Sequence, residues 1–157
     1  MDDLWNQHKS HIVGVWKLIS YDIFDSDGPD KKLIGKPHGD NPEGRAVITP
    51  GAFLSGHLMT PDRIQTATQI STASDEEAAY IARGISMYCG NFKFCEGGNN
   101  ELWWETKVKI ASDPSRIGGL QVRKLQYFEE EGKSFMLLTP KQDMPYGVSF
   151  RCVSSFI

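Results

Sequence analysis

Long apolar runs are missing from this 157-residue chain, and nothing in it approaches the roughly 18–20 consecutive apolar residues of a membrane-spanning helix. An excess of one charge is missing too. Seventeen Lys and Arg stand against twenty Asp and Glu, for a net charge of −3. The cations are scattered rather than massed, which argues against nucleic acid as a partner. Cysteine is scarce: Cys89, Cys95 and Cys152 are odd in number and contain no C-x-x-C pair. Cys89 and Cys95 would lie about 20 Å apart on one strand, too far to bridge, so three reduced thiols are expected. The four histidines make no metal-ligand spacing with carboxylates. A phosphate loop, a dinucleotide fingerprint and a G-x-S-x-G element are all absent. No metal and no cofactor is therefore expected. The opening residues, Met1-Asp2-Asp3-Leu4-Trp5-Asn6, lack a basic segment followed by an apolar one, so a cytoplasmic location is expected.

Apolar and aromatic residues, at 39% and 11%, are plentiful enough to rule out disorder and to fill one core. One domain over residues 1–157 is expected. Leu4, Trp5, His8 and Ile12 mark a short amphipathic helix. Gly14-Val15-Trp16-Lys17-Leu18-Ile19-Ser20-Tyr21 alternates with period two and reads as a strand. Residues 25–44 read as a long surface loop rich in Asp, Gly, Pro and Lys. Arg45–Thr49 and Phe53–Thr60 form a hairpin through Pro50-Gly51. Ser74, with Glu77 three residues on, has the capping-box spacing, so one inserted helix is expected up to Gly84. Beyond it lie strands 85–96, 101–112, 120–129, 133–140 and 146–156, with short polar separators. Successive strands with tight turns mean antiparallel pairing. Eight of them fit an up-and-down barrel, whose closure removes the exposed edges. The expected class is mainly β: one eight-stranded antiparallel barrel with an N-terminal helix and one inserted helix.

Alternation assigns the interior. Tyr88, Gly90, Phe92 and Phe94 form the inward phase of their strand, and Trp104, Thr106, Val108 and Ile110 that of the next. Trp16, Leu18 and Ser20 share an inward phase. In 53–60 either phase can face in; Phe53, Ser55, His57 and Met59 are preferred, since outward leucines would find cover under the inserted helix. The resulting interior is aromatic and aliphatic with a few hydroxyls, a site for a small lipophilic molecule bearing some oxygens.

Several segments together resemble the lipocalin-like domain family of small calycin barrels. They are Gly14–Tyr21, Gly44-Arg45-Ala46-Val47-Ile48-Thr49-Pro50-Gly51 with Phe53-Leu54-Ser55, Tyr88-Cys89-Gly90, Val108 to Pro114, Gly118-Gly119 with Gln121-Val122-Arg123, and Thr139-Pro140. They stand in the family's order across almost the whole chain. The resemblance implies an eight-stranded barrel with a ligand-sized interior. It also implies the activity of some fungal members, which act without cofactor as cyclases or isomerases on reactive natural-product intermediates. It places Gln121 and Arg123 facing inward, and it implies an arginine from the last strand, here Arg151, stacked on Trp16. The histidine that members often carry near Thr106 and Lys107 is missing.

Candidate catalytic groups are Arg123, Tyr88 and His57. The guanidinium of Arg123 cannot lose its proton and needs an anionic or strongly accepting partner. Tyr88 has a hydroxyl to donate, and His57 titrates in the range suited to a general acid or base. Candidate ligand-binding residues are Ser20, Phe53, Ser55, Phe92, Trp104, Thr106 and Gln121. The activity expected is that of a cofactor-free isomerase or cyclase in secondary metabolism. A carrier for a small hydrophobic ligand and a barrel filled by its own side chains are the alternatives, and a homodimer is left open.

Overall fold

The computed structural model describes residues 3–26, 28–141 and 147–154. Helix α1 (Asp3–Ile12) leads into β1 (Gly14–Phe24), β2 (Leu33–Gly35), β3 (Glu43–Ile48) and β4 (Phe53–Met59). Helices α2 (Pro61–Gln65) and α3 (Asp75–Arg83) follow, and then β5 (Ile85–Glu96), β6 (Leu102–Ala111), β7 (Leu120–Glu130), β8 (Lys133–Pro140) and β9 (Gly147–Ser154). All neighbours pair antiparallel, and β9 pairs back onto β1 to close the sheet. This is an eight-stranded antiparallel barrel, with β2 as an extra strand against the end of β1. The expected turn at 142–145 and the strand ends at 146 and 155–156 lie outside the described residues.

Two local expectations change. The surface loop 25–44 contains β2, whose residues meet β1 at Ile23 and Phe24. The segment between β4 and β5 holds two helices, because Pro61 at the first helical position starts α2 before the expected one. The capping box of α3 is formed: Ser74 Oγ accepts from the Glu77 amide, and the Glu77 carboxylate accepts from the Ser74 amide.

Helix α1 closes one end. Its apolar face buries Trp5 and Ile12 against Trp16, Phe92 and Phe94, each such burial contributing about 1.5–3 kcal/mol. Trp5 Nε1 donates to the Pro50 carbonyl (3.0 Å) and Trp16 Nε1 to that of Ile12 (2.8 Å), so the helix is pinned at both ends.

Two β-bulges set which side chains reach the other end. On β1, Leu18 opposes Cys152 and Ser20 opposes Arg151, so Ile19 is an extra residue. Past it the phase inverts: Tyr21, not Ser20, shares the inner face with Phe150. On β6, Val108 opposes Gly90 and Ile110 opposes Cys89, making Lys109 the extra residue. Ile110, expected inside, is therefore 68% exposed, and Ala111 takes the place opposite Tyr88.

The register also decides 53–60 against the preferred phase. Directly opposed residues share a face, and Leu54, Gly56 and Leu58 oppose Gly90, Tyr88 and Ser86. Leu54, Gly56 and Leu58 thus point inward, while Phe53, Ser55 and His57 belong to the outer face. Arg151 does not stack on Trp16. Its neighbour Cys152 takes the inward position, so Arg151 turns outward, over the rings of Phe135 (4.8 Å) and Phe128 (5.5 Å), and pairs with Glu130.

Candidate functional site

Opposite α1, the barrel holds a cavity of about 280 Å³. Its apolar side is built by Leu18, Leu54, Leu58, Leu138 and Phe150, with Trp104 and Cys152 deeper. These residues come from five different strands, so the site exists only in the closed barrel. Tyr21 stacks on Phe150 (4.3 Å between centroids) and completes that side.

The polar side is carried by β5, β6, β7 and the loop before β7. Arg123 stands opposite Trp104, and Gln121 opposite Thr106. Arg116, from the 3₁₀ turn Pro114–Arg116, reaches in from the loop and lies over the Tyr88 ring at 4.6 Å. Its Nη2 donates to Gln121 Oε1 (2.8 Å). Arg123 Nη2 donates to the same oxygen (3.2 Å), and its Nη1 to the Val122 carbonyl (3.0 Å). One neutral amide oxygen therefore serves two guanidiniums. Neither arginine has a carboxylate partner among the described residues.

Burial lowers the pKa of Arg123, with the charge of Arg116 acting in the same direction and Tyr88 and Tyr21 opposing it. A guanidinium still stays charged, so the site is cationic. Burial also pushes the Cys152 thiol up to about 12, which keeps it protonated and without nucleophilic character.

Of the residues singled out from the sequence, Tyr88, Trp104, Gln121 and Arg123 meet around this cavity. The others do not. Phe92 packs in the core against Trp5 and Trp104, and Thr106 is fully buried without lining the cavity. Ser20, Phe53, Ser55 and His57 lie outside it, and His57 Nε2 is hydrogen-bonded to Ser55 Oγ at 2.9 Å on the outer surface. Arg116, Tyr21, Phe150 and Ser86 were missed. Tyr21 is hidden by the Ile19 bulge, and Arg116 by its place in a polar turn, where a cation reads as solvated. Among the described residues no group of three or more His, Cys, Asp or Glu is placed to hold a metal. No helix among them is long and apolar enough to cross a membrane.

His38, in the turn after β2, is the buried histidine. It is 9% exposed, packs against Tyr21 (5.2 Å) and leaves Nδ1 without a hydrogen-bond partner. Burial lowers its pKa below the usual 6.5, partly offset by the charge of Asp62. Below pH 6.5 the unfolded chain binds a proton that the folded chain refuses. Stability should therefore fall as pH drops from 6.5 toward the folded pKa, and level off below it. His38→Phe should flatten that part of the profile. Melting temperatures of both proteins at pH 7.5, 5.5 and 4.5 check it; equal acid losses would remove His38 as the cause.

The family profile described as a lipocalin-like domain matches residues 13–146, from just before β1 to the residue preceding β9. Comparison with curated proteins and with solved structures returned no match. The closed barrel, the helix over one end and a ligand-sized cavity at the other accord with that match, and the fold is one that suits a small hydrophobic ligand. With the profile covering most of its length, the chain belongs to the lipocalin-like domain family.

Proposed function

We propose that this protein is a cofactor-independent isomerase or cyclase that shapes a small, lipophilic, oxygenated molecule, an intermediate of secondary metabolism, inside its barrel. One observation carries the reading: a single cavity pairs an apolar wall with two guanidiniums that share one neutral acceptor, Gln121. The apolar wall holds a carbon skeleton. The guanidiniums lower the energy of negative charge that develops on a carbonyl oxygen when a neighbouring C–H ionises or a ring closes. Removing a comparable oxyanion donor costs enzymes about 10²–10³ in rate. Tyr88, beneath Arg116, has a hydroxyl for proton transfer at that oxygen. Holding the substrate in its reactive shape contributes several kcal/mol more. Isomerisation and cyclisation leave the atom count unchanged, so the reaction needs no co-reactant.

A carrier with the same pocket is the second reading. It is favoured by one observation: no histidine or carboxylate among the described residues lines the cavity, so Tyr88 would be the proton-transfer group. Incubation with lipophilic enones, polyenes and 1,3-dicarbonyl compounds in EDTA-treated buffer, without nicotinamide or flavin, separates the two. Chromatography with mass detection should find a product of unchanged mass and altered retention. A compound retained and released unaltered would favour the carrier. Conversion abolished by EDTA and restored by a divalent metal would overturn the cofactor-free reading.

A further inference from the structure

We propose that the ligand of this cavity is an anion, a small carboxylic acid bound as its carboxylate, with its head on Arg116 and Arg123 and its carbon chain against the leucines. The inference rests on the reading of the cavity as a ligand site, and it specifies the class of molecule.

The first argument is charge. No Asp or Glu lines the cavity among the described residues, while Arg116 and Arg123 both do. Arg45, also at its edge, already has Glu43 at 3.7 Å. Two positive charges thus share one wall of a largely apolar space, and they repel. A buried cation without a counter-charge is costly, and one anion placed between two relieves both.

The second argument is the kind of hydrogen-bonding group on offer. Two guanidiniums carry ten N–H donors and no acceptor. Three of their hydrogen bonds to protein acceptors are formed, two of them to the same Gln121 oxygen. The wall is therefore dominated by donors. A carboxylate only accepts, and its two oxygens suit the planar fork of an arginine. An alcohol or a neutral amide brings donors of its own, and an amine brings the wrong charge.

The third argument is size. At about 280 Å³ the cavity sits at the small end of ligand sites, which run from about 300 to 1,000 Å³. Leu54, Leu58, Leu138 and Phe150 face a short chain or a small ring, not an extended lipid.

Octanoate, 1-octanol and octylamine share a tail and differ in the head, and they test the idea on the unmodified protein. Calorimetric titration at pH 7 should give octanoate the tightest binding, about 10- to 100-fold above octanol, as expected for added charged hydrogen bonds. Octylamine should bind weakest. Arg123→Met and Arg116→Met should each cut octanoate affinity about ten-fold or more and leave octanol within about three-fold. Octanol or octylamine binding as well as octanoate would overturn the carboxylate head while leaving an apolar-ligand site intact. No binding by any of the three would overturn the proposal and the ligand-site reading together. Because octanoate is no substrate for isomerisation, the result does not depend on turnover.

Discussion

Replacing Gly90 with alanine is expected to destabilise the barrel by about 3 kcal/mol or more, at the upper end for an inserted methyl group. A Cβ built on Gly90 would stand 1.9 Å from the carbonyl oxygen of Lys107 and 2.8 Å from its carbonyl carbon. The obstacle is the backbone of the neighbouring strand, which cannot turn aside as a side chain can. This close approach lies beside the place where β6 carries its extra residue, Lys109. The glycine therefore does more than fill a strand position. It allows the bulge that turns Ile110 outward and sets Ala111 opposite Tyr88, beside the ligand cavity. Gly56→Ala is the natural control. Gly56 also lines the interior, yet a Cβ there meets nothing within 4 Å, because it would enter the cavity. Its cost should stay within about 1 kcal/mol, near the ordinary surface range. Urea unfolding of the two variants decides the matter. Equal stability losses would mean that the close approach of β6 is not what Gly90 serves.

That contrast also shows what a sequence read alone can and cannot reveal here. Alternation in 85–96 was clear because Tyr88, Gly90, Phe92 and Phe94 differ so sharply from Asn91 and Lys93. The Pro50-Gly51 turn and the Ser74–Glu77 capping box are local chemistry, and both are present. In 53–59 neither phase is more apolar, since Phe53 and Met59 balance Leu54 and Leu58. Only the partner strand decides, and the pairing of Gly56 with Tyr88 sends His57 outward. The bulges at Ile19 and Lys109 have no signature in the residues themselves. Each inverts the alternation beyond it, which removed Ser20 and Ile110 from the interior, brought in Tyr21 and set Ala111 opposite Tyr88. The inward placement of Gln121 and Arg123 was legible through the family resemblance, but Arg116 was not, because loops carry no phase. So the charged pair at the heart of the site was half visible. One member sits on a patterned strand and the other on a turn.

Trp104→Ala should lower stability by about 3–5 kcal/mol, the range for truncating a large buried aromatic. Trp104 is 1% exposed, lies 5.5 Å from the Phe92 ring and stands between Phe94 and Arg123 in the register. It forms both a central part of the core and the deep end of the ligand cavity. Its loss would join the cavity to the packed end under α1, so longer ligands should gain affinity relative to short ones in whatever fraction stays folded. Trp104→Phe separates packing from hydrogen bonding. The indole N–H has no acceptor in the folded chain, and an unmet buried donor costs about 1–3 kcal/mol. Its removal should offset much of the packing lost, leaving a net cost below about 2 kcal/mol. Because that N–H is closed off from the cavity surface, the same variant should leave octanoate binding unchanged relative to octanol. Denaturant unfolding and the titrations together give four numbers. A Phe variant as unstable as the Ala variant would show that the indole N–H is engaged within the folded protein. An Ala variant within about 1 kcal/mol of the parent would show that the floor of the cavity is not made by Trp104 at all.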